Sequence, residues 1–151
     1  MEPAAEQRLE HLLNTLREQG CRITPQRIAL LRLLLQSEEH LSATQIHERL
    51  LEKFPTMSLA TVYKTLSLLK EMGEVLELGF SGAETRYDGQ SPHPHPHLIC
   101  VQCRKVLDPD VPAFDALAQD IAARSGFHIV SHRLDFFGIC PTCQTDAPPA
   151  A

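Results

Sequence analysis

Residues 93–103 read HPHPHLICVQC, and together with a second cysteine pair further on they decide the fold of the C-terminal part of the chain. The pairs are Cys100 with Cys103 and Cys140 with Cys143. Two residues between cysteines let both sulfurs turn toward one ion, so the four thiolates predict a structural Zn²⁺ site. Because 36 residues separate the pairs, the chain between them must fold back. An iron–sulfur cluster needs the same four thiolates and is the alternative.

Three histidines, His93, His95 and His97, alternate with prolines just before the first cysteine pair. On an extended segment the last two point to one side, because side chains alternate along a strand. Imidazoles and carboxylates are harder ligands than thiolates and suit a different metal. A closed site of soft thiolate ligands beside a site of harder ligands predicts one metal that stabilises the fold and a second metal that the protein senses.

The same histidine run is also found in metallo-hydrolases, which hold zinc with an open position for water. The aspartate that such motifs place after the second histidine is absent, because Pro96 leads straight to His97. The chain is also short for that fold. A small metallo-hydrolase is therefore a distant alternative, and we expect no hydrolysis of esters or phosphodiesters with added metal.

The bulk composition indicates a globular protein of one ordinary domain or two small ones, with 151 residues and 43% hydrophobic content. No apolar run reaches the 18 residues of a membrane span. The N-terminus lacks the basic start and apolar stretch of a signal peptide, so we expect a cytoplasmic protein with no membrane contact and with reduced cysteines. Cys21 has no partner at a metal-binding spacing and is expected to serve packing.

The net charge of −5 argues against nucleic acid as a partner, but the charge is unevenly spread. Residues 15–36 carry one acid and four arginines, namely Glu18, Arg17, Arg22, Arg27 and Arg32. Such a strip is compatible with DNA binding, and on its own it is more often a solvated helix face.

Hydrophobic periodicity predicts four helices followed by a hairpin. The helices cover residues 3–19, 25–35, 42–54 and 59–72, and the hairpin covers 75–87 with a turn at 81–82. In the second helix we expect Ile28, Leu31 and Leu35 to face inward. This order is that of a winged helix-turn-helix, which places its last helix in the DNA major groove. Small helical domains with a hairpin also serve as protein-binding modules, so the pattern alone leaves that alternative open.

Beyond a stiff connector over residues 90–96, the pattern changes to a small α/β unit. It predicts strands over 97–101 and 104–107, a helix over 112–125, and a strand over 127–137. A unit of about 55 residues has too small a core to be comfortably stable, and a structural metal would make up the difference. The predicted fold class is α+β, with a disordered tail over 146–151.

Several stretches are similar to the ferric uptake regulator superfamily of metal-dependent bacterial repressors. They are RITPQR at 22–27, ATVYKTL at 60–66, RYD at 86–88, HPHLICVQC at 95–103 and GICPTC at 138–143. The resemblance covers about residues 15–144. It implies a cytoplasmic homodimer that binds double-stranded operator DNA, with a winged-helix domain over 1–88 and a metal-binding dimerisation domain over 89–145.

The resemblance also implies a regulatory site for Fe²⁺ or Mn²⁺. Its ligands map onto His40, Asp88, His95, His97 and Asp108. An ion held by all five would fix the orientation of the DNA-binding half relative to the other half.

DNA contacts are expected from the last helix of the winged-helix domain and from the segment before the second helix. Tyr63 is the candidate for thymine methyl contact, with Thr61 and Lys64 beside it for phosphates or base edges. Arg22 is a candidate for phosphate or minor-groove contact.

The residue at position 108 distinguishes subgroups of the superfamily. Iron and zinc sensors that resemble this chain commonly carry Glu there, whereas peroxide-sensing repressors carry Asp, as Asp108 does here. We therefore predict a repressor, not an enzyme, that senses hydrogen peroxide through oxidation of its ligand histidines and then releases DNA. An iron- or zinc-responsive repressor is the alternative.

Some members of the superfamily carry an additional metal site. Two of its ligand positions are occupied here by Pro94 and Pro96, so the site is incomplete. Asp115 and His132 match the remaining ligands, and His93 is a candidate substitute.

Overall fold

The computed structural model describes residues 2–111 and 114–146. The chain divides into two compact units, Met1–Pro92 and His93–Ala151. The predicted boundary, between residues 88 and 89, lies a few residues earlier. The tail predicted as disordered over 146–151 begins one residue too early, because Asp146 is the last residue of a helix; residues 147–151 lie outside the described residues.

The first unit has the predicted helices and hairpin. Its elements are α1 (Pro3–Glu18), α2 (Pro25–Gln36), β1 (Leu41–Ser42), α3 (Ala43–Leu51), α4 (Leu59–Glu71), β2 (Leu76–Phe80) and β3 (Ala83–Asp88). The strands form an antiparallel sheet in the order β1-β3-β2. The two-residue β1, which pairs Leu41 with Tyr87, was not predicted because so short a strand has no periodicity.

Side-chain caps explain where three of the helices begin. Thr24 Oγ1 accepts the N–H of Arg27 at 3.2 Å, and Ser58 Oγ accepts the N–H of Thr61 at 3.2 Å. Ser42 and Gln45 form a capping box at the start of α3, each side chain bonding the other residue's backbone N–H. Each cap satisfies helix donors that would otherwise lack partners and contributes about 1 kcal/mol.

Two details of the helix prediction were wrong. The third helix ends at Leu51 instead of residue 54, and residues 52–53 form a turn. Only Phe54 is restricted by the proline that follows it. Ile28 is only partly buried, and the inward residues of α2 are Leu30, Leu31, Leu34 and Leu35. This helix is apolar on most sides, so its sequence does not determine which face is inward.

An ionic cluster attaches α1 to the hairpin. Arg8 donates from Nη1 to Glu74 Oε2 and from Nη2 to the Glu74 carbonyl, both at 2.7 Å. His11 Nε2 lies 2.9 Å from Glu74 Oε1. Partial burial acts to raise the pKa of Glu74, but the hydrogen bonds from Arg8 and His11 outweigh it and lower the pKa below its ordinary value.

The second unit is a smaller mixed structure. Its elements are β4 (His97–Cys100), β5 (Val106–Leu107), α5 (Phe114–Ser125), β6 (Asp135–Gly138) and α6 (Pro141–Asp146). The sheet order is β5-β4-β6, with β4 antiparallel to β5 and parallel to β6. The mixed helix and sheet architecture confirms the predicted α+β class.

The predicted elements of this unit are shorter than expected. The strand predicted over 127–137 is paired only over Asp135–Gly138. The preceding segment alternates in hydrophobicity, but Phe127 is 72% exposed and Val130 87% exposed, so the described part of the chain does not bury these two side chains. The strand predicted over 104–107 begins at Val106, because Arg104 has a turn conformation with φ of 67°. The first two residues of the helix predicted over 112–125 lie outside the described residues.

The second unit also exposes several large apolar side chains. On α5, Leu117 and Ile121 are each 49% exposed, and none of that helix's described residues is buried. Phe136 and Phe137 of β6 are 51% and 64% exposed. Within the described residues, no helix has both the length and the apolar character needed to cross a membrane.

Candidate metal centres

Four cysteine sulfurs converge in the second unit. One Sγ each from Cys100, Cys103, Cys140 and Cys143 lies within 4.8 Å of the other three, and the Cys103 and Cys140 sulfurs are 3.7 Å apart. A tetrahedral ion with Zn–S bonds of about 2.3 Å would place its sulfurs about 3.8 Å apart. The donor set and its spacing therefore fit Zn²⁺.

The sheet explains how cysteines 37 positions apart in the chain meet. Cys100 ends β4 and is in register with Gly138 at the end of the parallel strand β6, so Cys140 follows directly beside it. The backbone N–H of Cys140 points at Cys100 Sγ at 3.4 Å. The turn over residues 101–103 is closed by the N–H of Arg104, which donates to the Cys100 carbonyl at 3.0 Å.

The protonation chemistry of the cluster also favours a cation. Backbone N–H groups of Cys103 and Cys140 lower the pKa of the Cys100 thiol to about 6. The hydrogen bond with the Cys140 side chain, together with burial, raises the pKa of Cys143 to about 12. Closely spaced thiolates repel one another, and a coordinated cation offsets that repulsion.

In the first unit, His40 and Asp88 form a buried pair. His40 Nε2 lies 3.4 Å from Asp88 Oδ2, and the two residues are 5% and 0% exposed. The other carboxylate oxygen, Oδ1, accepts the backbone N–H groups of Gln90 and Ser91 at 2.9 and 3.2 Å. The carboxylate is therefore oriented with Oδ2 toward the imidazole.

Arg86 supports the loop that carries His40. This buried arginine donates from Nη1 to the His40 carbonyl at 3.3 Å and to Gln45 Oε1 at 2.6 Å. Gln45 Oε1 also accepts the N–H of Ser42. The capping box of α3 and the position of His40 therefore share one hydrogen-bond network.

In the second unit, two histidines and one aspartate converge. His95 Nε2 and His97 Nε2 lie 3.0 and 3.4 Å from Asp108 Oδ1, and one ligand atom from each of the three residues lies within 4.8 Å of the others. His95 Nδ1 donates to the His93 carbonyl at 2.6 Å, which leaves Nε2 as the ligand atom. Two imidazoles and a carboxylate suit Fe²⁺ or Mn²⁺ better than the thiolate cluster does.

Three supporting residues were missed by sequence reasoning. Asp135 lies in register with His97 across the sheet, and its Oδ1 is 4.0 Å from His97 Nδ1. Arg86 lies in the RYD stretch but had no predicted role, and Gln90 falls in the predicted connector. Sequence spacing gives no signal for Asp135 or Gln90, because their contacts depend on the folded sheet and hairpin.

The candidate additional site is not assembled in the same way. Among the described residues, the structure does not gather His93, Asp115 and His132 into a cluster of ligand atoms within 4.8 Å. The His132 ring packs against Phe114 with centroids 4.9 Å apart. The additional site stays a prediction.

The predicted DNA-contact residues are exposed on the first unit. Thr61, Tyr63 and Lys64 lie on the solvent side of α4, and Tyr63 is 46% exposed. Opposite them on the same helix, Val62 and other apolar residues face the core. Arg22 is also exposed, just before α2.

Replacing one cysteine of the cluster tests the structural role of this centre. We expect Cys140→Ser to lose zinc and to unfold the second unit, because structural zinc contributes on the order of 10–16 kcal/mol in small domains. Elemental analysis and thermal melting measure both effects. Cys21→Ser, outside the cluster, is the matched control and should keep its zinc. A Cys140→Ser protein with full zinc content would contradict the assignment.

Comparison with known proteins places this architecture in a family. The model of the ferric uptake regulator family matches residues 18–137. A relative from Staphylococcus saprophyticus, named peroxide-responsive repressor PerR, is 39% identical over 92% of this chain and 93% of its own length. The relative of the same name from Staphylococcus aureus is 37% identical over the same shares.

Solved structures agree with that placement. The Helicobacter pylori ferric uptake regulator Fur, described as having three functional metal binding sites, has a TM-score of 0.77 at 26% identity and 93% coverage of both chains. PerR from Streptococcus pyogenes, described in terms of peroxide sensing and gene regulation, has a TM-score of 0.52 at 37% identity, with 90% of this chain and 92% of its own covered. This chain belongs to the ferric uptake regulator family.

Proposed function

We propose that this protein is a metal-dependent transcriptional repressor that acts in the cytoplasm and releases operator DNA in response to hydrogen peroxide. The observation that carries the proposal is Asp108 beside the ligand atoms of His95 and His97, at 3.0 and 3.4 Å. Family membership and the peroxide-responsive relatives described above support it. An iron- or zinc-responsive repressor with the same architecture is the alternative, and a small metallo-hydrolase stays a distant alternative.

Two kinds of metal fit the donor sets. Zn²⁺ suits the four cysteines as a closed structural site. Fe²⁺ or Mn²⁺ suits the histidines and aspartates, which offer two ligands in the first unit and three in the second. Neither set alone fills the shell of a six-coordinate ion. We therefore propose that one ion takes ligands from both units.

DNA binding is proposed for the exposed side of α4, with Tyr63, Thr61 and Lys64 directed to the major groove and Arg22 to the backbone or minor groove. The exposed apolar side chains of α5 and β6 support pairing of two chains through their second units. A homodimer would carry two copies of α4 and read two half-sites of a duplex operator. A metal that fixes the orientation of each first unit would then set the spacing of these helices.

In the proposed sensing step, a metal ligand is oxidised. Bound Fe²⁺ supplies the capacity to activate peroxide next to its ligands. Overall, one oxygen atom of hydrogen peroxide enters a ring C–H bond of His40 or His95, the O–O bond breaks, and the other oxygen leaves as water. The imidazole loses two electrons and becomes a poor ligand, so the metal-dependent orientation is lost and DNA is released.

Removing one ligand tests metal-dependent DNA binding. A duplex operator is first selected from random sequences with the Mn²⁺-loaded wild type. We expect His97→Ala to keep its zinc and fold but to bind this duplex roughly 5–150-fold more weakly. Titration with labelled duplex in excess Mn²⁺ measures this. His128→Ala is the control, because this exposed histidine belongs to none of the predicted metal sites. Tyr63→Ala should retain metal but lose sequence discrimination. Normal binding by His97→Ala would contradict the role of the metal.

Mass spectrometry after brief peroxide exposure tests the sensing step. In the iron-loaded protein we expect one added oxygen on the tryptic peptide spanning 33–49 or 87–104, localised to His40 or His95 by fragmentation. The manganese-loaded protein should show none. Asp108→Glu should reduce this oxidation while keeping metal-dependent DNA binding. Oxygen only on cysteines, or equally with both metals, would favour the iron- or zinc-responsive alternative.

A further inference from the structure

Gln90 connects the two segments that carry His40 and Asp88. Its side-chain Nε2 donates to the carbonyls of Leu35 and Ser37, at 3.2 and 3.0 Å. Its backbone N–H donates to Asp88 Oδ1 at 2.9 Å. Gln90 therefore bonds both to the carboxylate and to the end of α2, three residues before His40.

Gln90 supplies a hydrogen-bond donor to the C-terminal end of α2. The last carbonyls of a helix have no partner within the helix, and Gln90 supplies a donor to one of them, that of Leu35. The bend that brings Gln90 there begins at Asp88, whose Oδ1 also accepts the N–H of Ser91. The glycine between them packs closely, since a Cβ at Gly89 would lie 3.4 Å from Leu34 Cβ. These contacts hold residues 88–91 against the end of α2.

Holding this segment fixes the direction of the Asp88 carboxylate. With Oδ1 occupied by two backbone N–H groups, Oδ2 is the oxygen that faces His40 Nε2 at 3.4 Å. A ligand pair held in place before metal binding loses less conformational freedom when the ion arrives. Residues that orient metal ligands in this way typically affect metal affinity 10–100-fold.

We propose that Gln90 is a positioning residue for the His40 and Asp88 pair, and that its two side-chain hydrogen bonds set how tightly the pair takes Mn²⁺ or Fe²⁺. This inference rests on the proposed function, in which His40 and Asp88 are metal ligands. The side chain of Gln90 is exposed, so its bonds compete with water. We therefore expect an effect at the lower end of that range, roughly tenfold.

The test compares Gln90, which contacts the C-terminal end of α2, with Thr24, which caps the N-terminal end of α2. Gln90→Met keeps the length of the side chain but has no N–H donor, and Gln90→Ala removes the side chain. Thr24→Ala is the matched control, because it removes the N-terminal cap of α2 without touching residues 88–91. Mn²⁺ affinity of the zinc-loaded full chain is measured by chelator competition, together with the thermal midpoint and with amide exchange of Gln90 and Ser91 in the Mn²⁺-free protein.

We expect both Gln90 variants to bind Mn²⁺ roughly tenfold more weakly and to exchange these amides faster, while Thr24→Ala keeps its Mn²⁺ affinity despite a lower thermal midpoint. The inference is overturned if Gln90→Met binds Mn²⁺ as tightly as the wild type, or if Thr24→Ala weakens binding equally. A failure of the proposed function would give a different result. The wild type would then bind no Mn²⁺, or its Mn²⁺ binding would be unchanged in His40→Ala.

Discussion

The convergence of four cysteine sulfurs is the constraint on which the second unit depends. Among the described residues of that unit, few apolar side chains are buried, chiefly Ile99 and Val106. Burial of two such side chains contributes only about 3–6 kcal/mol, which is small against the entropy of ordering some fifty residues. A metal bound to four thiolates contributes on the order of 10–16 kcal/mol in small domains, which is more than that burial supplies, and pairing of the exposed faces of α5 and β6 would add to it.

The cysteine cluster also positions residues of the proposed sensing site. One short strand, β4, begins with His97 and ends with Cys100. Its parallel neighbour β6 places Asp135 beside His97 and Gly138 beside Cys100. Anchoring the cysteine end of these strands therefore also fixes the histidine end. This arrangement explains how a closed structural site and a reactive site can serve different purposes within a few residues of each other.

The sequence predicted the features that depend on residues close together in the chain. The helices predicted over 25–35 and 59–72 begin at the first residues of α2 and α4, and the cysteine spacing identified the four sulfurs that converge. It could not determine the inward face of α2, where leucines lie on most sides. It also overextended the strand before Asp135, because alternation predicts a half-buried strand even where the described residues provide no strand to pair with it. The contacts made by Gln90, Arg86 and Asp135 join distant segments, so spacing along the chain could not reveal them.

A double-mutant cycle on Mn²⁺ affinity tests the central claim, that one ion takes ligands from both units. The cycle compares the wild type, His40→Ala, His97→Ala and the double variant, all loaded with zinc. If the residues share one ion, the wild type binds one regulatory Mn²⁺ per chain, each single variant weakens it, and the double variant loses clearly less than the sum of the two effects. Two independent Mn²⁺ sites, each abolished by only one of the substitutions, would contradict the account.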